Sequence, residues 1–171
     1  MKHLFTILAL TISFSMNAQN QWVSGSGLNS LQTTSNTASG QYSTAMGENT
    51  EASGNTSTAM GLLTTASGTR STAMGNSTTA SGTRSTAMGL FTTASGTSST
   101  AMGYGTTASD YGSTVIGQFN SSGSTVTNSA TAFNTANTAF VIGNGTGTGA
   151  AASDAFKVMF NGDTTVSGSV T

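Results

Sequence analysis

From residue 37 to residue 120 the chain is a 14-residue unit repeated six times without insertion or deletion. The units read TASGQYSTAMGENT, EASGNTSTAMGLLT, TASGTRSTAMGNST, TASGTRSTAMGLFT, TASGTSSTAMGYGT and TASDYGSTVIGQFN. One glycine series runs Gly47, Gly61, Gly75, Gly89, Gly103 and Gly117. A second runs Gly40, Gly54, Gly68, Gly82 and Gly96, and Asp110 then takes its place. So strict a period requires each unit to sit in an equivalent place in a lattice. An α-helical hairpin repeat needs more than about 30 residues, and apart from Ala these units lack helix formers. Each unit holds two short segments, TASG and STAMG, each ended by Gly. Two strands with two tight turns make one coil of a parallel β-solenoid, an all-β fold. Coils stack at about 4.8 Å, so six make a rod roughly 29 Å long. Stacked coils satisfy one another's backbone groups without a thick core. The glycines are expected at the corners, where they adopt positive φ at little steric cost.

Alternation along STAMG assigns the faces. Ser43, Ala45 and Gly47 share one face, and Thr44 and Met46 share the other. Stacking turns single residues into columns. Ala45, Ala59, Ala73, Ala87 and Ala101 form a small column that ends in Val115. Met46, Met60, Met74, Met88 and Met102 form a large apolar column that ends in Ile116. A 14-residue coil is flat and its interior suits Ala and Ser, so the Met column is expected to face outward, with the reverse assignment, Met inside, as the alternative. A continuous apolar stripe is then a surface that another chain covers.

Composition excludes several functions. Thr (34), Ser (27) and Gly (22) make up nearly half of the 171 residues, with no Pro and no Cys. The missing Cys removes disulfides, thiolate metal sites and cysteine nucleophiles. Four basic residues and a net charge of -1 are too few to neutralise a run of phosphates, so no nucleic-acid partner is expected. Residues 1–19, MKHLFTILALTISFSMNAQ, have a basic start, an apolar stretch and small Ala18 before a polar residue. That pattern is a secretory signal peptide (residues 1–18), and its apolar stretch is too short for a retained membrane span. Removing it takes away His3, the chain's one histidine. Histidine-based acid–base catalysis and Ser-His-Asp triads are then excluded. Glu48, Glu51, Asp110, Asp154 and Asp163 are scattered and do not repeat from coil to coil. They read as solubilising or turn residues rather than a carboxylate pair across a cleft. No enzyme, cofactor or metal is expected.

Repeats of the form STAMG followed by TASG resemble the heads of trimeric autotransporter adhesins, the YadA-like head family, whose short repeat carries an S-V-A-I-G core followed by an A-x-G strand. The resemblance covers residues 37–145. It implies a left-handed parallel β-roll, three copies of which associate side by side, with large aliphatic positions holding the trimer. The chain departs from the family in placing Met where Ile or Val is preferred. Residues 129–145, SATAFNTANTAFVIGNG, resemble a further degenerate coil. After a glycine-rich loop, Phe156, Val158 and Phe160 alternate with polar residues before the turn signal Asn161-Gly162. The expected organisation is a signal peptide (1–18), a lead-in (19–36), head repeats (37–145), and a loop with a hairpin leading toward a stalk (146–171). No heptad stalk or membrane anchor precedes Thr171, so the chain is expected to be a head fragment or to be exported by another route.

Candidate contact residues follow from these columns. Met46, Met60, Met74, Met88, Met102 and Ile116 are the expected interface of a homotrimer. Arg70 and Arg84 occupy equivalent places in adjacent coils, about 5 Å apart. They are either solvated turn residues or a contact for an anionic glycan or matrix protein. Leu62, Leu63, Leu90 and Phe91 follow the STAMG glycine, Tyr104 and Phe119 add aromatic character in coils five and six, and these turns either grip a partner or pack between subunits. The leading expectation is a secreted, non-catalytic adhesin head on the cell surface that contacts an extracellular protein or glycan, associated with the outer membrane through a region outside this chain. Two alternatives stand beside it. One is an ice-binding solenoid that uses Thr65/Ser67, Thr79/Ser81 and Thr93/Ser95. The other is a phage tail or fibre module.

Overall fold

The computed structural model describes residues 22–27, 31–33 and 35–168. The expected signal peptide lies outside the described residues. Two sheets face each other across a thin interior. One has eleven strands: Trp22–Ser24, Leu31–Thr33, the six STAMG strands from Thr44–Glu48 to Thr114–Gln118, then Thr138–Asn144, Asp154–Met159 and Thr164–Val166. The other has six two-residue strands, from Thr37–Ala38 to Thr107–Ala108. Within the repeats every pairing is parallel and shifted by one whole unit: Met46 lies beside Met60, Met60 beside Met74, and Ala66 beside Ala80. The chain therefore forms a parallel β-solenoid with a 14-residue coil, as the period requires.

The interior is built from small side chains. Ala38 to Ala108 and Ala45 to Ala101, with Val115 and Val141, are completely buried. Ser43, Ser57, Ser71, Ser85, Ser99 and Ser113 form a second interior column. Thr50, Thr64, Thr78, Thr92 and Thr106 form a third. Each Ala removes little apolar surface from water, so the coil-to-coil backbone ladder carries more of the stability than it would in a thick core. Most of the interior hydroxyls, Thr50, Thr64, Thr78, Thr92 and Thr106 among them, find no hydrogen-bond partner. At the two ends Ser43 donates to Gly40 O at 2.7 Å and Ser113 to Asp110 O at 2.9 Å.

The corners differ from expectation. The two repeated glycine series do not turn them. The series beginning at Gly47 lies inside the long strands, and the series beginning at Gly40 has no positive φ. Stacked coils meet at both: a Cβ on Gly68 would lie 2.1 Å from Gly82 O, and one on Gly61 would lie 2.0 Å from Gly75 O. The Gly47 series also has the expected positive φ, 126° at Gly47 and 122° at Gly61, but within a strand rather than at a corner. The corners themselves are turned by residues with side chains. One corner uses Tyr42, Thr56, Arg70, Arg84 and Ser98, then Gly112; the opposite corner uses Asn49, Leu63, Ser77 and Phe91, then Gly105 and Phe119. The φ of Thr56 is 55° and that of Arg84 is 60°. Such left-handed residues cost about 1–3 kcal/mol each. Their amides are satisfied by the preceding coil: Thr56 donates to Gln41 O at 2.7 Å and Leu63 to Glu48 O at 2.9 Å. Stacking thus offsets a strain that an isolated coil would not hold.

Both ends of the Thr column are closed by asparagine. The Asn36 carboxamide accepts from Thr50 N at 2.8 Å, and its NH2 donates to Gly47 O at 2.9 Å and to the Thr33 hydroxyl. Asn120 accepts from Thr107 N and donates to Thr107 O and Ser122 O, all at 2.8 Å. Thr138–Asn144 then adds a further parallel strand, with Ile142 beside Ile116 and Gly143 beside Gly117. Residues 138–144 of the segment expected to form a degenerate coil thus add one strand to the long sheet, and the six-stranded sheet gains no matching strand among the described residues. Asp154–Met159 and Thr164–Val166 close the sheet as an antiparallel hairpin turned at Asn161 and Gly162.

Candidate functional surfaces

Four long surfaces run along the roll. The outer face of the eleven-stranded sheet carries Met46, Met60, Met74, Met88, Met102 and Ile116, all half-buried and in register. Ile142 extends the column by one strand. Alternation puts Ala inside and Met outside, as read from the flat coil. The outer face of the six-stranded sheet carries Thr and Ser. Thr65, Thr79 and Thr93 are half-exposed while the alanines beside them are buried, and Ser67 and Ser81 are exposed.

The two edges have opposite character. Arg70 and Arg84 are exposed on the first corner, in neighbouring coils. The Arg84 guanidinium donates from Nε to the Ser98 hydroxyl at 3.2 Å. Glu48 and Glu51 are exposed and flank the second corner, which is otherwise apolar. There Leu62 and Leu90 end their strands half-buried, while Leu63 and Phe91 project from the left-handed turn into solvent. Tyr104 joins Phe91 with ring centroids 6.1 Å apart, and Phe119 meets Tyr104 edge-on at 4.7 Å. Only the stacking of coils four to six brings these rings into one row.

The acidic residues separate by role. Asp163 is exposed, and its carboxylate accepts from the Asn161 side chain at 2.7 Å beside the hairpin turn, which fits turn chemistry. Asp110 does not fit the solubilising reading. It is fully buried, and its carboxylate accepts from Thr127 N at 2.6 Å and Thr138 N at 2.7 Å. It replaces a glycine because no identical coil stacks beyond it, which leaves room for a side chain that pulls residues 127 and 138 onto the end of the roll. Asp154 accepts from Ser121 N and the Ser121 hydroxyl at 2.8 Å and from Ser122 N at 2.9 Å. Partial burial pushes its carboxyl up, but the serine hydrogen bonds outweigh this and hold it below the usual carboxylate range. Both acids tie the closing loop to the coils. Among the described residues no group of three or more His, Asp or Glu side chains is placed to hold a metal ion. No helix among them is long and apolar enough to cross a membrane.

The family model of the YadA head domain repeat (2 copies) matches residues 38–63, 66–92 and 94–120. No curated protein matches the chain.

Proposed function

We propose, from the premise that residues 38–120 form a YadA-like head, that the chain is a non-catalytic adhesin head that works as a homotrimer on the cell surface. In this reading the rolls are left-handed, residues 1–18 direct export, and three rolls pack side by side through the Met column. The exposed corners then contact an extracellular protein or glycan. The observation that carries the reading is the Met column itself: five methionines and two isoleucines, in register along one outer face. Left in water this stripe would be an unusually continuous apolar surface for a Thr/Ser-rich chain. Met is also flexible enough to pack against a copy of itself across a symmetry axis.

Light scattering after size exclusion tests the assembly. The expected mass is three chains. Met74→Asp places one carboxylate per chain in the middle of the apolar contact, a burial that costs several kcal/mol without a partner. It should give folded monomers, because Met74 is half-buried in the single roll and its loss leaves the interior intact. A monomeric parent chain, or a Met74→Asp trimer as stable as the parent, overturns the proposed interface.

The Thr/Ser face favours one other reading. Its outward rows at Thr65, Thr79 and Thr93 form a flat hydroxyl lattice of the kind an ice surface would meet. Coincident freezing and melting points in cold solution would remove that function.

A further inference from the structure

Where the apolar corner runs into the closing loop, a row of aromatic rings adjoins a hydroxyl-lined hollow. Phe91 (55% exposed), Tyr104 (41% exposed) and Phe119 form the row. Gly105 makes room for it: a Cβ there would lie 2.4 Å from Phe119 Cε1. Beyond Phe119 the hollow is lined by Thr107, Ser121, Ser124 and Thr148, with Asn120 at its base and no charged side chain.

This hollow is held rigid from behind. The Asn120 amide is committed to Thr107 and Ser122. The Ser121 hydroxyl donates to Asp154 and the Ser124 hydroxyl to Ser121 O. With their protons directed inward, both serines keep acceptor lone pairs for a ligand. The hydroxyls of Thr107 and Thr148 have no hydrogen-bond partner among the described residues.

We propose that this corner binds an uncharged oligosaccharide. It rests on the adhesin reading and deepens it by naming the class of ligand. A sugar ring has an apolar C–H face and a rim of hydroxyls, so it needs an apolar platform and a polar hollow side by side. A bare apolar corner would bury sugar hydroxyls without partners, at about 1–3 kcal/mol each. A hydroxyl hollow alone would only exchange one set of water-like hydrogen bonds for another. Here the rings of Phe91 and Tyr104 supply the platform, and Phe119 leads from it to the hydroxyls of Thr107, Ser124 and Thr148. Charge directs the choice of ligand: Arg70 and Arg84 lie on the opposite corner, Lys157 lines a neighbouring hollow together with Asp154, and the lining of this hollow carries no cation to reward a sulfated or sialylated sugar. Single-site binding to so open a hollow is weak, and several copies on one particle would multiply it.

The chain is applied to an array of immobilised neutral hexose and N-acetylhexosamine oligomers, with sulfated and sialylated oligomers alongside. The strongest neutral binder is then titrated by calorimetry against the parent chain, Tyr104→Ala and Thr148→Val. The expected result is neutral-sugar binding that weakens at least tenfold in Tyr104→Ala and several-fold in Thr148→Val, with thermal unfolding of both variants unchanged. An array with no neutral binder, neutral binding that survives both substitutions, or binding to anionic sugars alone that falls with Arg70→Gln overturns the site. Light scattering on the same samples separates this from the assembly. A trimer without sugar binding removes only this site, whereas a monomer removes only the proposed head assembly.

Discussion

Gly68→Ala tests the close stacking on which the whole roll depends. The added methyl would sit 2.1 Å from Gly82 O, 2.6 Å from Gly82 C and 2.9 Å from Ser81 O. All three are backbone atoms of the next coil, so no side chain can swing aside. Reaching ordinary van der Waals distance requires the two coils to part by more than about 1 Å at this rung. The amides of Ser67 and Gly68 both bond Ala80 O, at 3.0 and 3.1 Å, and neither bond survives such a shift. Buried backbone groups left without partners cost about 1–3 kcal/mol each, and overpacking adds a cost of its own. The sum is at least about 3 kcal/mol, a large share of the usual 5–15 kcal/mol of a folded domain. Because each coil contacts only its neighbours, the damage divides the stack and should lower the cooperativity of unfolding as well. The assay is equilibrium urea unfolding followed by circular dichroism, with Gly162→Ala as the control. Gly162 has a positive φ, 93°, which Gly68 does not, and no atom lies within 4 Å of a Cβ placed there. The control therefore shows what Ala costs without a clash, about 1 kcal/mol from the positive φ alone, and Gly68→Ala must exceed it through the clash with the next coil. If Gly68→Ala loses no more stability than Gly162→Ala, coil stacking is not what requires glycine.

Thr56→Gly should raise stability by about 1 kcal/mol in urea unfolding, since a β-branched residue at φ 55° gives up more strain than glycine adds in chain entropy; a destabilised variant would refute the left-handed corner. Thr78→Val keeps the interior shape and removes a buried hydroxyl with no partner, so the thermal midpoint should rise or hold, and a loss above about 1 kcal/mol would show that the hydroxyl is bonded. Asp154 is held below its ordinary value of 3.8, so its contribution is present above that value and is lost as pH falls through the lower folded value. The stability difference between the parent chain and Asp154→Asn should accordingly be constant above about pH 5 and shrink as acid protonates the parent carboxylate; a difference that grows in acid would reverse the sign of the shift.

Much of the architecture follows from the period alone. A fixed 14-residue step puts every residue beside its own copy in the next coil, so register, columns and faces follow from backbone pairing once the unit is read. Alternation separated the Met and Ala columns onto opposite faces, and the flat coil favoured Ala inside, but the structure decided that Met faces outward. Even the end caps are written in the repeat. Asn36 and Asn120 stand in the column that Thr50 to Thr106 fill between them, and a carboxamide can replace the missing coil's donors and acceptors.

The corners and the ends required the tertiary structure. Glycine in a repeat signals either positive φ or close approach, and composition does not separate the two. Only the stacked coils show that the Gly40 series yields to a neighbouring carbonyl while Thr56, Leu63 and Arg84 take the left-handed turns. Asp110 looks like a surface acid until the end of the stack gives it room and brings two distant amides to its carboxylate. The row from Phe91 to Phe119 and the hollow beside it depend on residues 107, 121, 124 and 148, which meet only because the closing loop folds back over the last coil. Periodic pairing is local to neighbouring coils and therefore legible in the chain. Contacts made where the period stops span long sequence separations, and three-dimensional closure decides them.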